Sequence, residues 1–349
     1  MISIAVIYFF SFFPRFKIVN KMSSNHKAPP YDAEGVQFVT TYLPGMLAPA
    51  TLERIPMLRK KAEEMSMTDD QLRQGGKVDF EERQVPGPQG APEIGLLICR
   101  PSGSNQQLLP CLYYMHGGGM ITGNKRSTIQ FLADWIISFN VVFVSVEYRL
   151  APEHPDPAPS EDCYAGLVWI SEHAQELGID ASQITVSGTS AGAGLAAAIA
   201  LMARDRNGPK IQGQLLHCPM LDDRDQTVST QQYDGIGIWD RQSNIVGWTA
   251  LLGDQKGKPN VSPYAAPSRA QDLSNLPPAY ISVSSAEVFR DEDIDYAQRI
   301  WQAGGIAELH VWPGGYHGFN LFGLKTTLSK QAIEASANWY RRLLDSHKK

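Results

Sequence analysis

The sequence contains little of what marks nucleic-acid-binding, disulfide-stabilised or metal-binding proteins. The net charge is −5 and Lys and Arg form no extended run, so nucleic-acid binding lacks an electrostatic footprint. The four cysteines, Cys99, Cys111, Cys163 and Cys218, are far apart and form no C-x-x-C motif. They predict buried free thiols and a reducing compartment. Neither a metal-ligand spacing nor a phosphate-binding loop occurs, and we expect no cofactor and no metal.

A hydrophobic run long enough to cross a bilayer is also missing. Residues 1–13 are almost wholly apolar, but a membrane-spanning helix needs about 20 residues. The run has no basic start and no convincing small-residue cleavage site, so it matches a signal peptide poorly. We therefore expect residues 1–21 to be an apolar extension that is not part of the native fold, and residues 22–349 to form the domain. The expected location is the cytoplasm, although the apolar N-terminus leaves secretion or anchoring open.

What the sequence does contain is a strand–turn–helix motif around Ser190. Residues 184–198 read ITVSGTSAGAGLAAA, a β-rich run that passes through G-x-S-x-G into an Ala-rich run of helical character. Gly188 and Gly192 are small enough for a tight turn beside the serine. This order predicts a nucleophile elbow, with Ser190 at the positive end of the helix that follows. The motif alone is weak, because a glycine-rich turn with an incidental serine has the same pattern.

Partners for the serine occur elsewhere in the chain. An H-G-G-G loop at residues 116–119 ends an apolar run, and its glycines can aim backbone N–H groups at a ligand. Downstream, carboxylates follow a predicted strand at residues 285–292, and His317 lies in the segment G-G-Y-H-G-F. Serine, then acid, then histidine is the chain order of the α/β-hydrolase triad. The conjunction predicts a serine hydrolase in which His317 is the general base.

Two carboxylates, Glu287 and Asp291, compete for the acid of the triad. Glu287 directly follows the predicted strand end, where a loop can present it to His317. Asp291 falls where the next helix is predicted to start, and its position is typical of a helix cap. We favour Glu287 because of its position after the strand. Its being a glutamate is no objection, because this fold accepts either acid.

These segments resemble the hormone-sensitive-lipase-like carboxylesterases, the H-G-G-G branch of the α/β-hydrolases. The similarity covers about residues 77–345 and includes Y-R-L-A-P-E-H-P at residues 148–155. Two positions depart from the family pattern. Thr189 stands where Asp usually precedes the serine, and Glu287 stands where the acid is usually Asp.

The resemblance also implies roles for the glycine-rich loop. The backbone N–H groups of Gly118 and Gly119 would form an oxyanion hole with that of Ala191, the residue after the nucleophile. His116, which begins the loop, would order it and would not transfer protons.

Predicted strands and helices alternate through most of the chain, which indicates a mostly parallel sheet. We predict eight strands, the first two as a hairpin, with helices on both faces, in agreement with the α/β-hydrolase fold that the resemblance implies. Residues 30–70 and 222–262 interrupt the alternation and are predicted to form a helical cap over the site. Local patterns further predict a helix over residues 127–139 and a helix cap at Ser160.

We expect a cofactor-free serine esterase that hydrolyses short- to medium-chain carboxylic esters through an acyl-enzyme. Met120, Trp239, Trp248 and Phe319 are candidates for the substrate pocket. A dedicated deacetylase or lactone hydrolase is an alternative. A non-catalytic receptor on the same fold is another, although the presence of His317 disfavours it. The expected partner is a small-molecule ester, and a homodimer remains open.

Overall fold

A computed structural model describes residues 27–42, 49–104 and 107–347. In these residues the chain forms eight strands: β1 Val78–Val85, β2 Ile94–Pro101, β3 Leu109–Met115, β4 Val142–Glu147, β5 Ile179–Thr189, β6 Gly213–His217, β7 Ala279–Ser284 and β8 Ala307–Trp312. They make one sheet in the order β1-β2-β4-β3-β5-β6-β7-β8. Strand β2 pairs antiparallel with β1 and β4, and all other pairs are parallel. The predicted eight-stranded, mostly parallel sheet with an initial hairpin is confirmed.

Helices connect the strands and extend beyond them. They are α1 Ala33–Tyr42, α2 Ile55–Glu64, α3 Asp69–Arg73, α4 Ala133–Ser138, α5 Ala158–Glu172, α6 Ala191–Asp205, α7 Val228–Gln232, α8 Arg241–Leu252, α9 Arg290–Gln302, α10 Phe319–Phe322 and α11 Thr327–Ser346. None of the helices in the described part of the chain is both long enough and apolar enough to cross a membrane.

The sheet has a hydrophobic core on each face. Successive residues of one strand alternate between the two cores, as the side-chain period of a strand requires. In β3, Tyr113 packs with residues of α5, α6 and α9. Its neighbours Leu112 and Tyr114 pack on the other face with residues of α4 and α11. All four cysteines are buried and unbridged, as predicted.

The parallel strands bring several loops to one edge of the sheet. Strands β3 to β8 point the same way, so the residues that follow each of them meet at the carboxyl edge. The H-G-G-G loop follows β3, Ser190 follows β5, Glu287 follows β7 and His317 follows β8. The order of strands therefore gathers segments that are up to two hundred residues apart in the chain.

The helix predicted over residues 127–139 is shorter than expected, since α4 begins only at Ala133. Thr128 has a φ of 61°, a left-handed conformation that interrupts a helix. Its Oγ1 accepts a hydrogen bond of 3.2 Å from the Gly117 backbone N–H. The side chain of Thr128 is thus committed to the H-G-G-G loop, which keeps this segment out of the helix.

Both predicted helix caps are wrong: the residue at the cap position is Pro157 instead of Ser160 and Phe289 instead of Asp291. Helix α5 begins at Ala158, so Ser160 lies inside it and donates its hydroxyl to the Pro157 carbonyl. Helix α9 begins at Arg290, so Asp291 lies in its first turn. The apolar extension predicted at residues 1–21 lies outside the described residues.

Candidate active site

Ser190 sits in a sharp turn between β5 and α6. Its backbone has a φ of 58° and a ψ of −122°, a strained conformation for a residue with a side chain. A Cβ added to Gly188 would lie 2.2 Å from the Gly192 carbonyl oxygen, and one added to Gly192 would lie 2.1 Å from the Met115 carbonyl oxygen. Neither glycine tolerates a side chain, so the G-x-S-x-G spacing follows from the packing of this turn.

The serine, the histidine and one carboxylate form a continuous chain of contacts. Ser190 Oγ lies 2.9 Å from His317 Nε2. His317 Nδ1 lies 2.5 Å from Glu287 Oε2. All three side chains are at most 8% exposed. The imidazole ring is also held edge-on by Phe289, with ring centroids 5.1 Å apart. This arrangement has the connectivity of a nucleophile, a base and an orienting acid.

The second carboxylate oxygen of Glu287 is held by the strand that precedes it. Glu287 Oε1 accepts hydrogen bonds from the Ser284 backbone N–H at 2.8 Å and from the Ser284 hydroxyl at 2.9 Å. The carboxylate is therefore fixed at both oxygens, with one aimed at His317. The competing acid lies elsewhere, because Asp291 accepts from the Ser229 backbone N–H and pairs with Arg290.

The glycine-rich loop lies beside Ser190 in a conformation that glycine favours. Gly118 has a φ of 129° and Gly119 a φ of 63°. A Cβ on Gly118 would lie 2.0 Å from the Thr122 carbonyl oxygen, and one on Gly119 would lie 2.1 Å from the Trp239 ring. Ala191 is the first residue of α6, and its N–H is one of those that have no acceptor inside the helix.

His116 is buried beneath the loop, and its described hydrogen bonds do not include Ser190. Its Nδ1 lies 2.9 Å from the Gly117 carbonyl oxygen, and its ring stacks on Tyr148 with centroids 4.1 Å apart. The Tyr148 hydroxyl donates to the His116 carbonyl at 2.7 Å. Burial lowers the pKa of His116, which keeps the ring neutral. These contacts fit the loop-ordering role that the family resemblance implies.

A hydrogen-bonded group that the sequence did not reveal connects the elbow to the loop. The Tyr114 hydroxyl lies 3.0 Å from Thr189 Oγ1 and 2.9 Å from Thr128 Oγ1. Thr128 Oγ1 in turn accepts from the Gly117 N–H. Thr189, the residue that departs from the family pattern, thus takes part in fixing the loop. The left-handed φ of Thr128 gives no signal in the sequence, so this group could not be predicted.

A cavity of about 720 Å³ opens onto Ser190 and His317. Most of its walls are apolar side chains and backbone. They come from α2 and the residues that flank it, the glycine-rich loop, residues 127–130, the elbow, the start of α8 with the residues before it, and the segment after His317. The wall residues are Ala50, Arg54, Met57, Leu58, Lys61, Ala62, Met65, Gly117, Gly118, Gly119, Thr122, Gly123, Ser127, Thr128, Gln130, Thr189, Ser190, Ile238, Trp239, Ser243, His317, Gly318, Leu321, Phe322 and Leu324. Of the four predicted pocket residues, Trp239 is in this wall.

Met120, Trp248 and Phe319 lie outside the cavity wall. They are 1%, 0% and 5% exposed and pack in the hydrophobic cores. Phe319, for example, packs against Gly315, where an added Cβ would lie 2.8 Å from its ring. Among the wall residues that the sequence reasoning missed, one group lies on one face of α2 and at its two ends. Their spacing at residues 54, 57, 58, 61, 62 and 65 is helical, and this periodicity could have revealed them.

Potential metal ligands also occur at the site. The ligand atoms of Cys218, Glu287 and His317 lie within 4.8 Å of one another. Burial raises the pKa of the Cys218 thiol, so it stays protonated, whereas metal binding needs the thiolate. Glu287 and His317 already contact each other. The donor set therefore fits a triad better than a metal site.

Comparison with known proteins agrees with this geometry. A family model described as alpha/beta hydrolase fold matches residues 112–321. The chain belongs to the α/β-hydrolase fold family, in the branch that resembles hormone-sensitive lipase, and is a carboxylic-ester hydrolase.

Individual relatives support the assignment. Esterase LipI of Mycobacterium tuberculosis is 35% identical over 236 residues, which cover 67% of this chain and 73% of LipI. Carboxylesterase NlhH of the same organism is 35% identical over 256 residues, covering 72% of this chain and 79% of NlhH. Among solved structures, a bacterial heroin esterase has a TM-score of 0.81 at 36% identity, covering 90% of this chain and 98% of that chain.

Proposed function

We propose that this enzyme hydrolyses short- to medium-chain carboxylic esters through a Ser190–His317–Glu287 triad and a covalent acyl-enzyme. The observation that carries the proposal is the unbroken series of contacts from Ser190 Oγ through the imidazole to Glu287. A serine hydroxyl is a weak nucleophile unless a base within hydrogen-bond reach takes its proton. The distance of 2.9 Å from Oγ to Nε2 meets that requirement.

In the acylation step, His317 Nε2 removes the proton of Ser190 as Oγ attacks the ester carbonyl. Glu287 accepts a hydrogen bond from Nδ1–H and stabilises the imidazolium that forms. The negative charge on the carbonyl oxygen is stabilised by the N–H groups of Gly118, Gly119 and Ala191. His317 then donates its proton to the leaving alcohol. Each oxyanion donor contributes about 3 kcal/mol to the stability of such a transition state.

Deacylation repeats these steps with water in place of the serine hydroxyl. His317 activates a water molecule, which attacks the acyl carbonyl, and the same three N–H groups stabilise the second oxyanion. Ser190 then leaves as the proton returns from His317. The carboxylic acid is released and the triad is restored.

The cavity supports a preference for short to medium acyl chains. A volume of about 720 Å³ bounded by α2, Trp239 and the segment after His317 accommodates a small ester. We further propose that residues 30–70 and 222–262 act as the cap. In support, α2 and the segment of Trp239 and Ser243 line the cavity, and the Ala50 N–H donates to Ser243 Oγ at 3.0 Å across the two segments.

Labelling with a fluorophosphonate tests the proposal directly. The wild-type chain should be labelled at Ser190 with a stoichiometry of about one, and labelling should be lost in Ser190→Ala. Loss of 4-nitrophenyl butyrate hydrolysis should follow the extent of labelling. Full ester hydrolysis by Ser190→Ala, or covalent labelling at another residue, would contradict the assignment.

A further inference from the structure

We propose that the enzyme prefers esters that carry a carboxylate separated from the ester group by a short apolar chain, and that Lys61 on α2 recognises this carboxylate. The inference rests on the proposed function and names the substrate class of the same site. It follows from the charges in the cavity wall, from the orientation of α2 and from the spacing of the cations.

The cavity wall contains cations and no carboxylate. Lys61 and Arg54 line it, and none of its described residues is Asp or Glu. Every Asp and Glu of the chain lies within the described residues, and among these neither cation has an ion-pair partner. This local excess of positive charge contrasts with the net charge of −5 of the whole chain. An anionic group entering the cavity would therefore meet an unpaired cation.

Contacts on another face of α2 fix the rotation of the helix. Arg59 Nε donates to the Ile121 carbonyl at 2.8 Å, and its guanidinium pairs with Glu153. With Arg59 anchored to the body of the enzyme, Lys61 lines the cavity between Met57 and Met65, each about one turn away. The exposed neighbour Lys60 is not part of the wall.

The position of Lys61 favours a monoanion at the end of an apolar chain. Its neighbours in the wall are methionines, which offer contacts to methylene groups and no competing acceptor. Arg54 lies seven residues earlier, about 10 Å along the helix axis, and donates to the Pro49 carbonyl. At that spacing, and with Arg54 held by the Pro49 carbonyl, Lys61 is the cation left to pair with an anion. A single carboxylate fits Lys61, with Arg54 adding to the local potential.

Matched substrates separate this charge effect from size. On the acyl side, monomethyl adipate is compared with its carboxamide isostere. On the alcohol side, 4-acetoxybutyrate is compared with 4-acetoxybutyramide. In whichever of these two pairs the enzyme prefers, kcat/KM should be about fivefold higher for the carboxylate ester than for its amide. This ratio of kcat/KM values should fall as added salt screens the charge.

Variants of neighbouring lysines provide the control. Lys61→Met should bring the ratio to about one, because the carboxylate ester loses its cationic partner and the neutral amide has no such pairing to lose. Lys60→Met, an equal change of charge on the same helix, should retain the wild-type ratio. A wild-type ratio at or below one in both arms, or equal effects of the two variants, would overturn the inference. Absence of hydrolysis of all four esters by an enzyme that hydrolyses 4-nitrophenyl butyrate would also overturn the inference, whereas absence of 4-nitrophenyl butyrate hydrolysis would contradict the proposed function.

Discussion

Replacing Glu287 with glutamine gives the sharpest test of the triad. Glu287 Oε1 accepts from both the backbone N–H and the hydroxyl of Ser284. The glutamine carbonyl oxygen must occupy this position, because an NH₂ group there would face the Ser284 N–H. The amide NH₂ then takes the place of Oε2, which in the wild type lies 2.5 Å from His317 Nδ1.

The consequence is a change of tautomer. His317 Nδ1 would have to accept from the amide, which places the ring proton on Nε2, where it cannot take the proton of Ser190. We expect kcat to fall by about 10,000-fold, which corresponds to about 5.5 kcal/mol in the transition state. KM should change little, because Glu287 is not in the cavity wall.

The assay is steady-state hydrolysis of 4-nitrophenyl butyrate together with thermal unfolding, which verifies that the variant is folded. Asp291→Asn is the matched control and should stay within about twofold of the wild-type kcat, since this carboxylate contacts Ser229 and Arg290 instead. Glu287→Asp should retain partial activity. Near-normal turnover in Glu287→Gln, combined with collapse in Asp291→Asn, would refute the reasoning.

Three other predictions follow from the site. Ser190→Ala and His317→Ala should each abolish most ester hydrolysis, and the double variant should be little slower than either, because triad members act as a unit; multiplicative losses in kcat would contradict a shared step. Gly119→Ala should lower kcat by about 100-fold or more, since its Cβ would lie 2.1 Å from Trp239; kinetics near wild type would show that the loop conformation is not needed. Burial lowers the pKa of His217 to about 3, so the unfolded chain binds more protons and stability falls as pH drops below about 6.5. His217→Gln should therefore lose about 2 kcal/mol less unfolding free energy than the wild type between about pH 7 and pH 5 in urea titrations; equal losses would mean that His217 takes up its proton in the folded protein over the same pH range as in the unfolded chain.

The sheet could be predicted from the sequence because its strands leave strong patterns. Strand β4, for example, is apolar except for Ser145 and its last residue, Glu147, as expected of a parallel strand covered on both faces. Helix boundaries were less predictable. The start of α4 depends on Thr128, whose side chain accepts a hydrogen bond from Gly117 of the H-G-G-G loop, and this contact forms only when the chain folds. Such tertiary contacts override local helical preference.

The candidate site also has a part that the sequence predicts well and a part that it does not. Ser190 and His317 lie in glycine-rich turns whose chemistry is visible in the sequence, and the choice of Glu287 over Asp291 rested on its position after a strand. The pocket was harder to predict. The aromatic candidate Trp248 is a core residue, whereas the face of α2 that lines the cavity consists of Met57, Leu58, Lys61 and Ala62. Which face of a helix meets the cavity depends on how that helix docks, and here Arg59 determines the docking.

The two departures from the family pattern have different physical consequences. Glu287 has one more methylene than aspartate, and two hydrogen bonds from Ser284 at the end of β7 hold its Oε1 and limit the movement of the longer side chain. Thr189 offers one hydroxyl and no charge, and it joins Tyr114 and Thr128 in a neutral hydrogen-bonded group. A carboxylate in place of Thr189 would be buried, because the position is 2% exposed, and it would face the neutral Tyr114 hydroxyl. In this chain, therefore, the loop beside the nucleophile is held by neutral hydrogen bonds, and its geometry should depend on the Tyr114 hydroxyl more than on pH.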